Sequence, residues 1–326
     1  MKDIKSKYFV FLLLYLPLSC NFSNPECTDQ HAGNYGTSAT EDDHSCIDDT
    51  IFISAQWSIE LNEQIKETSG LILWDGALWT INDDTDTRLY ALDTTSGEII
   101  ADYVITDVLN RNWEEISQDK EFIYIGDFGN NMGERRDLHI LRIDKLSLKS
   151  GNPSVDTIWF TFSDQHDFVS NADFQTEFDC EAFVVSSDSI YLFTKQWATG
   201  YTTQYALSKF PGSYTAQRRN TFNSKGLVTG ATFLENERLL VLCGYSGLAQ
   251  TFLYLFYDYP NDDFFAGSQK RVNIQLHFHQ VEGVTARNTV EYYISNESFR
   301  TNQFVKVPQK LHLIDLSEIK NLPGIF

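Results

Sequence analysis

The sequence predicts an all-β protein, a five-bladed β-propeller closed by an N-terminal strand, with a six-bladed ring as the alternative. Five short segments share one pattern, in which a hydroxyl residue or Glu precedes a small or acidic residue and then an apolar run. The segments begin at Ser69, Glu114, Glu181, Thr229 and Glu282, which are 45, 67, 48 and 53 residues apart. A repeat of this length is typical of blade arrays. From residue 50 onward, short β-type runs alternate with turns, and no long helical period occurs.

Composition agrees with this fold and excludes some partners. Aromatic residues make up 14% of the chain, which suits sheets that pack face to face. The formal net charge is -20, which argues against nucleic-acid polymers and anionic membrane surfaces and fits an exported protein that attracts cations.

Residues 1–19 are predicted to be a signal peptide and to contribute nothing to the fold. Lys2, Lys5 and Lys7 precede the apolar run Tyr8 to Leu16, which is too short to span a bilayer. The following Leu-Pro-Leu-Ser-Cys20 resembles a bacterial lipoprotein signal, which implies lipidation of Cys20. Pro17 departs from that pattern, so plain secretory cleavage stays open. We therefore expect a cell-envelope location, either as an outer-membrane lipoprotein or as a periplasmic or secreted protein.

Residues 20–50 are predicted to be a linker stapled by a disulfide between Cys27 and Cys46. The stretch from Cys27 to Cys46 resembles a small module of exported Bacteroidetes proteins, with the form C-T-D-x-x-A-x-N-Y-x-x-x-A-x-x-D-D-G-S-C. His44 replaces the usual Gly of that module. An exported setting favours the disulfide. Cys180 and Cys243 lie in or beside apolar strand patterns, so we expect buried thiols there.

Residues 51–326 are predicted to form the propeller. The last blade lacks an outer strand, and the N-terminal run Ile51–Leu61 supplies it, which closes the ring and removes the exposed sheet edges. The polar, turn-rich stretch Asp164 to Phe178 is interpreted as a loop inserted between blades 2 and 3. A six-bladed ring would need a degenerate blade there.

The first positions of the repeat are predicted to converge on one mouth of the channel. Three of them are Glu, and buried like charges raise one another's pKa values. A divalent cation removes that problem, and Ca²⁺ prefers oxygen ligands. The residues therefore predict Ca²⁺ as the cofactor, held by Ser69, Glu114, Glu181, Thr229 and Glu282. Two alternatives stay open, namely side chains that bond strand-start amides and channel water, and a set of catalytic carboxylates.

This ring is similar to that of the calcium-activated nucleotidase (apyrase) family. The resemblance is carried by Ser69-Gly70-Leu71, by Leu78 to Asp84, by Trp113-Glu114 with Ile123 to Gly126, and by Glu282-Gly283. It implies a five-bladed propeller with an axial calcium and nucleotide hydrolysis. The Asp-Arg pair that serves hydrolysis in that family is not adjacent here, since Asp84 is separated from Arg88 by three residues.

A second resemblance covers most of residues 65–300. Segments such as Asn110 to Ile116 and Tyr124 to Asn131 look like a group of exported bacterial propellers of unknown activity, which are placed near phytase-like esterase propellers. The resemblance supports the fold and names no substrate.

Loops at the same mouth supply the candidate catalytic groups, Asp83, Asp84, Asp127, Arg135 and Lys195. Acids and cations on one face suit a phosphate ester, because calcium neutralises charge while Arg or Lys clamps oxygens. The alternative is that these loops are rich in Asn and Asp only because both residues favour turns.

The sequence thus predicts a calcium-dependent hydrolase of phosphate esters or nucleotides, with a small molecule as its partner. The alternative is a non-catalytic binding or scaffold propeller with a structural calcium. A glycosidase is a third option, since five-bladed propellers also host paired carboxylates. We expect a monomer that meets the membrane only through the lipid anchor.

Overall fold

The computed structural model describes residues 24–26, 38–42, 51–169, 174–301 and 305–319. The chain divides into two compact units, Met1–Thr50 and Ile51–Phe326. No helix among the described residues is long and apolar enough to cross a membrane.

The described part of the first unit is a minimal sheet. Strands β1 (Pro25–Glu26) and β2 (Glu41–Asp42) pair in parallel. The amide of Asn24 donates to the Thr40 hydroxyl at 2.7 Å. The predicted signal peptide, Cys20 and the Cys27–Cys46 pair lie outside the described residues.

Strands dominate the second unit, and we number as blades, in chain order, the successive runs of antiparallel strands that the described residues form. Strands β3 (Ile51–Ile53) and β4 (Trp57–Glu60) come first. Blade 1 contains β5 (Thr68–Trp74), β6 (Ala77–Asn82), β7 (Arg88–Leu92) and β8 (Ile99–Val104). Blade 2 contains β9 (Trp113–Gln118), β10 (Phe122–Asp127), β11 (His139–Asp144) and β12 (Val155–Phe162). Blade 3 contains β13 (Cys180–Val185), β14 (Ser189–Thr194), β15 (Tyr201–Ser208) and β16 (Gly212–Asn223).

The last two blades have the same order. Blade 4 contains β17 (Leu227–Leu234), β18 (Leu239–Ser246), β19 (Gln250–Tyr257) and β20 (Ser268–Ile274). Blade 5 contains β21 (Val281–Ala286), β22 (Glu291–Asn296) and β25 (Lys310–Asp315). The hairpin β23 (Phe299–Thr301) and β24 (Val305–Val307) extends from blade 5. Helical turns in the described residues are α1 (Lys145–Lys149) and 3₁₀ segments at Glu63–Ile65, Gly247–Ala249 and Phe264–Ala266.

The inner strands form a closed ring. Each first strand packs against the first strand of the next blade, and β21 returns to β5. This arrangement confirms the predicted all-β propeller class.

The N-terminal strand closes the ring, as predicted. Strand β4 pairs with β25 and becomes the fourth strand of blade 5, with Trp57 opposite Leu313. The sequence did not indicate the pairing of β3, which adds in parallel to β20 of blade 4. The N-terminal run therefore bridges two blades instead of completing only one.

Blades 2 and 3 are joined at their outer edges. Residues Ile158–Phe162 of β12 pair in parallel with Gly212–Ala216 of β16, which gives one eight-stranded sheet. The connection between these blades contains no strand in its described parts, residues 163–169 and 174–179. These described parts are loop, as predicted.

The apolar core consists of clusters between adjacent blades. In the described residues each of the five interfaces has its own cluster, including the interface between blades 5 and 1, where Leu78 and Leu313 take part. Side chains alternate along each second strand. In β18, Leu240 faces blade 3 while Val241 faces blade 5, so this strand is apolar on both faces. Cys180 and Cys243 are buried free thiols, which confirms that prediction.

We predict that Gly70→Ala strongly destabilises the propeller. Gly70 has φ +64°, and a Cβ there would lie 2.5 Å from the backbone nitrogen of Ile116 in the next blade. Overpacking of this kind adds to the left-handed strain, and we expect a loss of about 2–4 kcal/mol in the free energy of unfolding, measured with urea.

The matched control is Gly76→Ala. Gly76 has φ +80° with no atom within 4 Å of an added Cβ, so it carries only the backbone strain, on the order of 1 kcal/mol. Equal losses in the two variants would contradict the close approach of blades 1 and 2.

Candidate functional site

A β-bulge at the start of the inner strand positions the predicted ring residues. In blade 2, Trp113 pairs with Asp127 and Glu115 pairs with Gly126, so Glu114 has no partner on the second strand. The same shift leaves one residue unpaired in each of blades 3, 4 and 5, namely Glu181, Thr229 and Glu282. A bulge bends the strand and redirects the side chain of the extra residue. In blades 2 to 5 the repeated sequence motif therefore marks a repeated bulge.

The bulged glutamates meet further acidic side chains at one mouth of the channel. Each second strand runs antiparallel to the first, so its end lies beside the start of the first. We define the acid cluster as Asp83, Glu114, Asp179, Glu181, Glu282 and Glu297. These carboxyl groups are close enough to shift one another's pKa values. Asp179 immediately precedes a first strand, and Asp83 and Glu297 immediately follow second strands.

Burial and mutual repulsion keep protons on this cluster. Burial, followed by the charge of Glu181, raises the pKa of Asp83 to about 6. Burial and Glu181 raise the pKa of Asp179 to about 8, and burial with Asp83 raises the pKa of Glu297 to about 8. Burial also raises the pKa values of Glu114 and Glu282 well above their usual range. At neutral pH the mouth therefore holds a mixture of carboxylic acids and carboxylates.

Lys195 supplies a positive charge inside this cluster. Its Nζ lies 3.1 Å from Oε1 of Glu181, and both side chains are almost fully buried. Burial alone would lower the pKa of Lys195, yet the acids, Glu181 first, hold it well above its ordinary value. The ammonium group therefore stays charged.

Two of the ring glutamates differ in how their oxygens are satisfied. Glu114 Oε1 accepts a hydrogen bond from the side-chain amide of Asn112. Gly129 passes so close that a Cβ there would overlap both of these groups. Glu282 is 6% exposed, and its Oε2 has no hydrogen-bond partner among the described residues. An unpartnered buried carboxylate oxygen is costly unless a cation or a proton occupies it.

The two hydroxyl members of the predicted ring join neighbouring blades. Ser69 donates its hydroxyl proton to the carbonyl of Glu114, and Thr229 donates to the carbonyl of Val281. In blade 1 the register shift falls between Ser69 and Ile72, so Ser69 keeps its partner Ile81. Each hydroxyl thus forms a hydrogen bond between neighbouring blades. Its proton is used in that bond, so only its oxygen lone pairs could coordinate a further ligand.

Sequence reasoning missed the role of Glu115. The residue after each ring position is small in four blades (Gly70, Ala182, Gly230, Gly283) and is Glu115 in the remaining one. The carboxyl group of Glu115 accepts hydrogen bonds from the amides of Ile116 at 2.9 Å and Ala231 at 2.8 Å. It therefore links blade 2 to blade 4 across the axis. The single large residue among small ones was the signal that could have revealed it.

The predicted catalytic residues are not all brought together. Asp83 and Lys195 lie in or against the acid cluster. Asp127 is fully buried and pairs with Arg135 at 2.7 Å, while Arg135 also donates to the carbonyl of Gly129 at 3.0 Å. Asp84 is exposed and accepts the amide of Asp86 at 2.8 Å in a local turn. Asp127 and Arg135 thus shape the loop that carries Gly129 past Glu114.

An aromatic pocket lies beside the acid cluster. Its volume is about 550 Å³, and its walls include Trp197, Tyr245, Phe278 and Phe299. The indole nitrogen of Trp197 donates to Asp179 at 2.9 Å, and the Tyr245 hydroxyl accepts from Gln280 at 3.2 Å. Trp197 therefore contacts one of the acids, and the rings of Trp197 and Tyr245 both lie near the Lys195 ammonium group.

The acid cluster is not a preformed metal cage. Across the part of the chain that the structure describes, no group of three or more His, Cys, Asp or Glu side chains is arranged to hold a metal ion. The cluster's potential donors are nevertheless all oxygen atoms, carboxyl groups outnumber cationic groups, and Oε2 of Glu282 has no hydrogen-bond partner among the described residues. A calcium ion at this mouth would have to draw these carboxylates together.

The ring of blades with its channel mouth defines the class of this protein, a β-propeller. No protein-family model and no curated protein matches the chain. Among solved structures, it is similar to glutaminyl cyclase of Myxococcus xanthus at 8% identity, over 82% of this chain and 100% of that chain, with a TM-score of 0.45. It is similar to the computationally designed Ika8 protein at 11% identity, over 73% and 58%, with a TM-score of 0.29. It is similar to U3-55K at 10% identity, over 82% of this chain and 66% of that chain, with a TM-score of 0.39.

We predict that Glu297→Gln becomes more stable than wild type as pH rises, with chelator present. The folded state holds a proton on Glu297 up to about pH 8, whereas the ordinary value is 4.5. Stability from that proton is complete below the ordinary pKa and is lost as pH rises through the folded pKa. Gln carries no titrating proton, so the difference grows from near zero at pH 5 to about 1–2 kcal/mol at pH 8 after screening.

Urea unfolding at pH 5, 6.5 and 8 measures this difference. Glu60→Gln, on the exposed face of β4, is the control and should run parallel to wild type. Parallel curves for Glu297→Gln as well would contradict the acidic surroundings of Glu297.

Proposed function

We propose that this propeller binds a calcium ion at the acid cluster and uses it to hold a phosphate ester, such as a nucleotide, whose organic part enters the aromatic pocket. The observation that carries the proposal is the excess of carboxyl groups over cationic groups at the mouth. Among the described residues, six buried or half-buried carboxyl groups surround one ammonium group, that of Lys195. A divalent cation at this site would replace the protons that burial and mutual repulsion keep on these groups.

Calcium suits the donor set better than a transition metal does. The donors are carboxylate oxygens, with the hydroxyls of Ser69 and Thr229 able to add lone pairs, and Ca²⁺ takes six to eight oxygens in flexible geometry. Neither of the buried thiols, Cys180 and Cys243, belongs to the cluster, and soft ligands would be needed to favour zinc or copper. The unpartnered Oε2 of Glu282 supplies a free acceptor.

The pocket supports an aromatic or heterocyclic ligand. Trp197, Phe278 and Phe299 line a cavity of about 550 Å³, which is in the range of ligand pockets. Base stacking on such rings contributes about 1–3 kcal/mol per base. Calcium would neutralise the phosphate charge, which the acids alone would repel.

Asp83 is our candidate general base for hydrolysis. Its pKa of about 6 leaves it ionised at neutral pH and still basic enough to accept a proton from water. Lys195 would balance charge through Glu181, and Asp84 lies next in sequence to the base. Asp127 and Arg135 would contribute through the loop they support, not through contact with the ligand.

A non-catalytic binding propeller with a structural calcium is the second candidate. The Asp127–Arg135 ion pair favours it, because two of the charged groups at this face satisfy each other. In both cases we propose that the protein acts as an exported, lipid-anchored monomer of the cell envelope.

We predict that calcium raises the melting temperature of the chelated protein, more at pH 8 than at pH 5.5. Protons compete with the ion, because the acids release them only as pH rises through their raised pKa values of about 6 to 8. At calcium one hundredfold above its Kd, the stabilisation is about 2.7 kcal/mol.

Glu114→Gln with Glu282→Gln should abolish this shift, measured by calorimetric melting. Glu60→Gln, in the same blade as Glu282 but exposed, should retain it. A shift that survives the double substitution would place the ion elsewhere and overturn the axial site.

We predict that Asp83→Asn lowers turnover by at least about 10²-fold, the usual contribution of a general base. The measurement is phosphate release from a panel of nucleotides and aryl phosphates with millimolar calcium. The calcium-induced melting shift should persist in Asp83→Asn. Absence of turnover in wild type, with calcium bound, would favour the binding propeller.

A further inference from the structure

The ammonium group of Lys195 lies among the carboxyl groups that are proposed to bind calcium. It directly follows β14, and its backbone amide donates to the carbonyl of Asp179 at 2.7 Å. The side chain is 6% exposed, and its ammonium nitrogen lies 3.1 Å from Oε1 of Glu181, a predicted calcium ligand. One ring glutamate is thus already engaged by a cation of the protein itself.

Aromatic rings hold this ammonium group in position. The nitrogen lies 4.5 Å from the ring centroid of Trp197 and 5.7 Å from that of Tyr245. The Trp197 indole is itself anchored to Asp179 at 2.9 Å. Cation–π contacts within about 6 Å stabilise an ammonium group, most strongly when it is desolvated.

The ammonium group also faces the other acids. Glu282 and Asp179 both interact electrostatically with Lys195, whereas Glu282 keeps one unpartnered oxygen. A second cation at the mouth would therefore share its carboxylates with Lys195 and would be repelled by it.

We propose that Lys195 is the resident counter-ion of the ring and that an incoming calcium ion must displace it from Glu181, so that this residue sets the affinity of the mouth for cations. The inference rests on the proposed calcium site and specifies how that site is regulated from within. It also accounts for the missing metal cage, because the carboxylates are arranged around an ammonium group and not around a metal.

The test is calcium binding by titration calorimetry, on chelated protein at pH 8, with Lys195→Met as the main variant. We expect Lys195→Met to bind calcium at least about tenfold more tightly than wild type, since a competing charge has been removed. Without calcium this variant should melt at a lower temperature than wild type, because Glu181 loses its partner. Calcium should restore its melting temperature. Lys195→Arg keeps the charge and should bind within about threefold of wild type.

The matched control is Lys209→Met. Lys209 also forms a half-buried ion pair, 3.0 Å from Asp119, but Asp119 follows the far end of the inner strand β9. This variant should lose stability without a change in calcium affinity. If Lys195→Met does not fold, Lys195→Gln, whose amide can still donate to Glu181, replaces it.

Each outcome decides between the two proposals. Equal or weaker calcium binding by Lys195→Met, with wild type binding, would overturn the counter-ion role and leave the calcium site standing. Binding by Lys195→Met alone would support the counter-ion role and overturn calcium as the natural ligand. Binding by neither protein would overturn both.

Discussion

The close approach of the inner strands at the axis is the constraint on which the rest of the structure depends. Gly70, Gly230 and Gly283 leave no room for side chains, and in blade 2 the place of a small residue is taken by Glu115. Its carboxyl group fills the space and binds the amide of Ala231. In blades 2, 4 and 5 the residue before this position bulges out of its sheet, whereas Ser69 in blade 1 keeps its partner Ile81. That bulge turns the ring side chains toward the channel mouth.

Much of the fold could be predicted because its signals are local. The β-type runs, the five repeated motifs and the N-terminal run Ile51–Leu61 indicated the propeller and its closure, and alternation along strands such as β18 follows from two buried faces. The added pairing of β3 with β20 could not be predicted, because a three-residue strand has no pattern that specifies its partner. The site was harder. The equivalent positions of the ring residues in the repeat predicted that they lie near one another. The ion pairs of Lys195 with Glu181 and of Asp127 with Arg135 depend on loop conformations, which residue spacing does not determine.

The acidic mouth is an unfavourable arrangement for stability. Removing carboxylates from water is unfavourable unless they are paired or protonated, and here one ammonium group serves several of them. Buried acids with strongly shifted pKa values occur mainly at functional sites. The surrounding cores, one between each pair of adjacent blades, are apolar, and none of the six acids belongs to them.

Ring closure also sets an order of events during synthesis. The hydrogen bond from Gln309 to the carbonyl of Leu61 joins residues 248 positions apart, and β3 and β4 leave the ribosome long before β20 and β25 exist. Until the final blade is made, β3 and β4 have no partner strands, and the incomplete ring exposes open sheet edges. Contacts between such distant segments form late and slowly. The seam between blades 4, 5 and 1 therefore closes only after the last blade has been made, and until then its strand edges are open to pairing with another chain.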